Sequence, residues 1–161
     1  MSCVVLTMKR VLIVFDSKFG NTEQLARDIG TGIEADETAQ CTIINIKEMD
    51  NQDISTFDGV LFGGPIHAFR ATRGIKGAIK TAITKGLGSK LIAAFDTYQA
   101  LGHKGKAVGQ MRDLLKKKAS GARFFSEDLT SLVDGYEGPL NAAEPAKARE
   151  FGQKFAQALR E

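Results

Sequence analysis

The chain has 161 residues, 43% of them hydrophobic and 25% charged, which are ordinary proportions for a globular protein long enough to bury one sizeable core. A formal net charge of +3 is too small to indicate nucleic acid by itself, and no apolar run approaches the roughly 20 residues of a membrane span. The two cysteines, Cys3 and Cys41, make neither a disulfide framework nor a metal site, so a reducing, cytoplasmic setting is the default expectation.

Residues 1–7 are too short, and lack the basic start, for a secretory signal. Met8, Lys9 and Arg10 read as the beginning of the first strand, which makes residues 1–8 an N-terminal extension and 9–161 the folded domain. The run at 11–15 is apolar and rich in β-branched residues, the pattern of a strand buried on both faces of a parallel sheet. A helix follows, because Leu25, Ile29 and Ile33 recur every four residues with Ala26 on the same face. Asn21 and Gln24 are spaced as a capping box, placing its start near Asn21. Between strand and helix lie Ser17, Lys18, Phe19, Gly20, Asn21 and Thr22. First-turn amides have no acceptor within their helix and the helix dipole is positive there, so such a turn can cradle an anion. Ser17, Asn21 and Thr22 add side-chain donors, and Gly20 permits close backbone approach. Neither a P-loop nor a Gly-x-Gly-x-x-Gly turn is present.

Further strands are expected at 42–46, 59–62, 91–95 and 123–125, with a helical turn or irregular segment over 47–57. Helices are expected from Gly74, from Lys104 and over the last twenty or so residues, where Asn141 and Glu144 suggest a second capping box and Pro145 falls in the first turn. Strands alternating with helices imply an α/β fold, a doubly wound five-stranded parallel sheet. In the strand order 2-1-3-4-5, ligands bind beyond the carboxyl ends of the strands where the order reverses, between the first and third.

That rule directs attention to two more loops. After the third strand, Gly63, Gly64, Pro65, Ile66, His67, Ala68, Phe69 and Arg70 mix permissive with apolar residues, as a wall against a flat ligand would. Phe69 reads equally as a core contact, and His67 as a loop histidine bonded to backbone. After the fourth strand come Thr97, Tyr98, Gln99 and Gly102, with the Tyr98 ring as an exposed stacking platform or else a cover on the core. Lysines 116 to 118 end a helix favourably and read as a solvated face, or as a docking surface for an acidic partner.

Ile13, Val14, Phe15, Ser17, Gly20, Thr22, Ala26 and Ile29 match position by position, and thereby resemble, the FMN-phosphate signature of flavodoxins. Gly-x-Pro after the third strand and residues 132–140 before the last helix are similar to that family too. The resemblance implies a flavodoxin-like fold and FMN bound at the phosphate by Ser17, Lys18, Phe19, Gly20, Asn21 and Thr22. It implies Gly64, Pro65, Ile66, His67, Ala68, Phe69, Thr97, Tyr98, Gln99 and Gly102 around the flavin ring, and single-electron traffic between redox partner proteins by a monomer. Such a carrier needs no catalytic acid, base or nucleophile, since the redox chemistry belongs to the cofactor. Phe19 departs from the family's second hydroxyl, leaving Lys18 to supply charge, and the usual aromatic-Gly-Asp stretch after the fourth strand is absent.

Flavodoxins are typically acidic around the flavin, whereas His67, Arg70, Arg73, His103 and Lys104 lie on or beside these loops. Nearby cations favour added negative charge on a flavin, which implies a less negative second potential and partners with acidic docking faces. The competing enzyme reading is an FMN-dependent oxidoreductase acting on a quinone or porphyrinogen, with residues 67–73 touching substrate. A receiver domain shares the strand order but needs clustered acids where this chain has Asp16 alone.

Overall fold

The computed structural model describes residues 7–161. Most of the extension expected over 1–8, Cys3 included, lies outside the described residues; Thr7 and Met8 lead without regular structure into β1 (Lys9–Phe15). The apolar run that predicted this strand is buried throughout, with Val11, Leu12, Ile13 and Val14 entirely covered. Then come α1 (Asn21–Glu34), β2 (Ala39–Asn45) and two short 3-10 turns, Ile46–Asn51 and Ile54–Thr56, which fill the stretch expected to be irregular. The chain continues through β3 (Gly59–His67), β4 (Arg70–Ala71), α2 (Arg73–Lys85), β5 (Leu91–Tyr98), α3 (Lys106–Lys118), β6 (Arg123–Phe124), β7 (Leu129–Leu132) and α4 (Glu144–Leu159).

The parallel sheet has the order β2-β1-β3-β5-β6, with β7 also parallel to β5. Counted along the chain, with β4 set aside, this is the expected 2-1-3-4-5. Alternate residues of each strand feed opposite layers. Val11, Ile13 and Phe15 pack with Leu25, Ile29 and Phe155 under α1 and α4, while Leu12 and Val14 pack with Ile75, Ile79 and Met111 under α2 and α3. Each fully buried Ile or Leu contributes about 1.5–3 kcal/mol, so both layers are needed to hold the sheet.

Three features depart from the sequence reading. The segment beginning at Gly63 is not a loop: β3 runs on to His67 and turns through Ala68 and Phe69 into β4, with His67 opposite Arg70. Pro65 sits within β3 because β1 has already ended where Phe15 meets Gly63, so no neighbour lacks the missing N–H. Second, the fifth strand is broken into β6 and β7, two segments flanking β5 at different heights. Third, neither capping box forms. Gly20, left-handed at φ 93°, is the residue preceding α1, so Asn21 is already helical and its side chain donates to the Glu137 carbonyl at 3.2 Å. Ala143 precedes α4, and Asn141 instead accepts from the Ala143 amide at 3.0 Å and donates to Asp134 at 2.9 Å. Pro145 lies in the first turn of α4 as expected.

Candidate ligand-binding site at the carboxyl end of the sheet

The turn after β1 is closed by Ser17, whose Oγ accepts from the Gly20 amide at 3.0 Å. That bond draws the chain into the left-handed conformation at Gly20, where a Cβ would be strained although open space surrounds it. The first bond along α1 runs from the Gln24 amide to the Gly20 carbonyl, at 3.0 Å. The amides of Asn21, Thr22 and Glu23 therefore have no acceptor within the helix, an arrangement that, with the α1 dipole, is able to hold an anion. Thr22 is buried and shares a 3.0 Å hydroxyl–hydroxyl bond with Thr97 at the end of β5, which ties the turn to the neighbouring strand.

Phe19 faces outward, its ring edge-on to Tyr136 with centroids 5.2 Å apart. Lys18 Nζ donates to the Tyr136 hydroxyl at 3.3 Å and lies 5.3 Å from the Phe19 ring centre. The residue replacing a hydroxyl is thus absorbed into a small cluster that holds an ammonium group beside the turn. Tyr136 was not singled out from the sequence; its only signal there is its place in the segment before α4.

Beyond the turn, the second wall is the β3–β4 hairpin. Ala68 (φ 49°) and Phe69 (φ 65°) are both left-handed, as a tight two-residue hairpin requires. The hairpin is pinned to α3: the Ala71 amide donates to Gln110 Oε1 at 2.9 Å, and Gln110 Nε2 donates to the Phe69 carbonyl at 3.5 Å. His67 is exposed, Pro65 and Ile66 are half-buried, and Gly64 is buried. Phe69, weighed above as a core contact, is 63% exposed and stands edge-on to His103, centroids 4.3 Å apart. Gly63 answers to the core rather than to a ligand, since a Cβ there would be driven into the Phe95 ring on β5.

The third segment corrects an expectation. Tyr98 is no exposed platform: β5 extends to include it, opposite Leu132 of β7, and only 8% of its surface is free. Thr97 is buried as well, and Gln99 and Gly102 are exposed. The exposed apolar side chain of this loop is Leu101, at 81%, which sequence reasoning missed because a leucine in a loop carries no periodic signal.

Behind the loop lies Asp96, fully buried, with Oδ2 accepting from the Val108 amide at 3.0 Å in the first turn of α3. Burial pushes its carboxyl up to about 6 and nearby Asp128 adds to the rise, against the pull of the Val108 and Ala107 amides. At the entrance between β1 and α2, the Thr72 hydroxyl donates to Asp16. Among the described residues no cluster of potential metal ligands occurs, and no helix is long and apolar enough to cross a membrane.

A doubly wound parallel sheet with a helix amino terminus opening at its switch point, facing a hairpin and a loop, places the protein in the class of doubly wound α/β folds. Residues 12–126 match the flavodoxin domain family, and the chain belongs to that family. It is 25% identical over 157 residues to a flavodoxin of Clostridium saccharobutylicum, covering 94% of this chain and 98% of that one. Oxidised flavodoxin 2 from Bacillus cereus has the same fold, with a TM-score of 0.78 at 21% identity over 92% of this chain and 99% of that chain. The flavodiiron core of Flv1 from Synechocystis sp. PCC6803 matches 94% of this chain at a TM-score of 0.76 and 22% identity, and here the chain spans 36% of the longer protein. Family membership implies a flavin cofactor.

Proposed function

We propose that this protein is an FMN-dependent single-electron carrier serving partner proteins. The observation that carries the reading is the α1 amino terminus: three first-turn amides opening from a left-handed Gly20, at the point where strand order reverses. The turn suits a phosphate monoester, because backbone donors, the dipole and the Lys18 ammonium all favour a dianion there.

Ser17 keeps Gly20 in the conformation that points the amides outward, and the bond between Thr22 and Thr97 fixes the height of the turn against β5. Asn21 anchors the segment before α4 to the same turn. Residues 64–69 and 97–102 flank the space left for the ring, one as a rigid hairpin and the other as an exposed loop. Bound FMN would supply reversible one-electron chemistry, and the protein would set its potential and access. The main chain at Ala68 and Phe69, held in an uncommon conformation, would offer its backbone groups to the bound ring.

The test is spectroscopic. The purified protein should be yellow, release FMN on denaturation, and take up electrons in two separated one-electron steps on photoreduction. Steady turnover of a quinone with NAD(P)H and no added reductase would assign the site to an enzyme instead, and failure to bind any flavin would overturn the reading altogether.

A further inference from the structure

From Gly59 to Arg112 the chain carries nine lysines and arginines and a single acid, Asp96, which is fully buried. This stretch of the chain is therefore rich in surface cations. At the carboxyl end of the sheet, Arg70, Arg73, Lys104 and Lys106 are all exposed, and none takes part in an ion pair among the described residues. Farther along α3 the charges are used differently, since Arg112 is paired with Asp128. Among the acids at this end of the sheet, Asp16 accepts from the Thr72 hydroxyl beside Arg73, Asp96 is buried, and Asp134 and Glu137 belong to the segment before α4, beyond the turn that follows β1.

Within the cationic group stand two exposed apolar side chains, Phe69 and Leu101. Phe69 is not loose. Its ring rests against His103, its carbonyl is bonded by Gln110, and its own backbone is left-handed at φ 65°, a conformation a non-glycine residue adopts only when the surroundings impose it. The fold thus uses a strained turn to project an immobilised aromatic ring into water. Ordering such a ring on association has already been accomplished, which is the property of an interface anchor. An apolar centre rimmed by uncompensated charge of one sign matches a surface carrying carboxylates around an apolar patch.

We infer that Phe69 and Leu101, rimmed by Arg70, Arg73, Lys104 and Lys106, form a docking surface for a redox protein whose own redox group is ringed by carboxylates. The inference rests on the carrier reading above for the redox character of the partner. The surface borders the space proposed for the flavin ring, and Phe69 is held there by protein contacts alone, so the surface is present in the flavin-free protein as well.

The experiment is titration calorimetry on flavin-loaded and flavin-free protein, with an acidic plant-type [2Fe–2S] ferredoxin as probe and basic cytochrome c as its opposite. The ferredoxin should bind both forms, and binding should weaken at least about tenfold between about 20 and about 200 mM salt. The R70E/K104E double variant should weaken it about tenfold or more at low salt. Leu101→Ser, which leaves the charge alone, should weaken it by a similar factor at both salts. Tighter binding of cytochrome c, no binding of ferredoxin, or indifference to R70E/K104E would overturn the inference. So would tighter binding of duplex DNA of about 30 base pairs, which would mark a polyanion surface of another kind. A protein that binds no flavin yet still binds ferredoxin would defeat the carrier reading and leave the surface standing.

Discussion

The turn between β1 and α1 and the β3–β4 hairpin lie at the same end of the sheet, but they are built on opposite plans. The turn is local: one hydroxyl to one amide, Ser17 to Gly20, with glycine where the left-handed conformation falls. The hairpin places alanine and phenylalanine in left-handed positions and relies on a distant residue, Gln110 of α3, to hold them. Sequence favours the first structure at every position. The second sets two non-glycine residues in the left-handed positions that its two-residue turn demands and leans on Gln110 to hold them, and strain retained in that way marks a place where orientation matters.

The contrast can be broken most severely at the base of the hairpin. Gly63→Ala pushes a methyl group into the fully buried Phe95 ring between two central strands, and should lower unfolding stability by about 3 kcal/mol in a denaturant titration. Next comes the buried acid near the end of β5. Asp96, at about 6 when folded against an ordinary 3.8, binds its proton more tightly in the native than in the unfolded protein. Stability should therefore fall as pH rises from about 4 to about 6, and the penalty is complete above that. Asp96→Asn keeps an oxygen for the Val108 amide and removes the penalty, so it should gain about 2 kcal/mol at neutral pH and almost nothing below pH 4, read from unfolding curves at both pH values.

Smaller effects sharpen the comparison. Thr22→Val retains the shape of the buried side chain but leaves the Thr97 hydroxyl without its partner, at about 1 kcal/mol of stability together with weaker anion binding at the turn. Ala68→Gly should act in the other direction, relieving left-handed strain in the hairpin for a gain of about 0.5–1 kcal/mol in melting experiments. A destabilised Ala68→Gly protein would mean that the turn is favoured by contacts the alanine methyl makes.

Most of the fold was legible because it rests on periodicity. β1 and the buried faces of α1 and α2 read directly from spacing, strand–helix alternation gave the parallel sheet, and the strand order is the one implied by the resemblance to flavodoxins. What failed shares one cause: features decided by neighbours distant in sequence. Gly63, Gly64 and Pro65 look like loop punctuation, and become strand because β5 runs alongside and β1 has ended. Tyr98 looks like a loop aromatic, and is buried because β7 arrives opposite it. The missed anchors, Leu101 and Tyr136, are singular residues in segments without a period, visible only once the fold assembles them beside the site.

The central claim is that residues 17–22 hold the phosphate of FMN, and the most direct measurement compares FMN with riboflavin, which differs only in lacking that phosphate. Fluorescence titration of the flavin-free protein should give FMN an affinity at least about a hundredfold higher than riboflavin, the margin expected of several charge-assisted hydrogen bonds at a helix terminus. Equal affinities would contradict the account, because they would place the binding energy in the ring loops and leave the turn without its ligand.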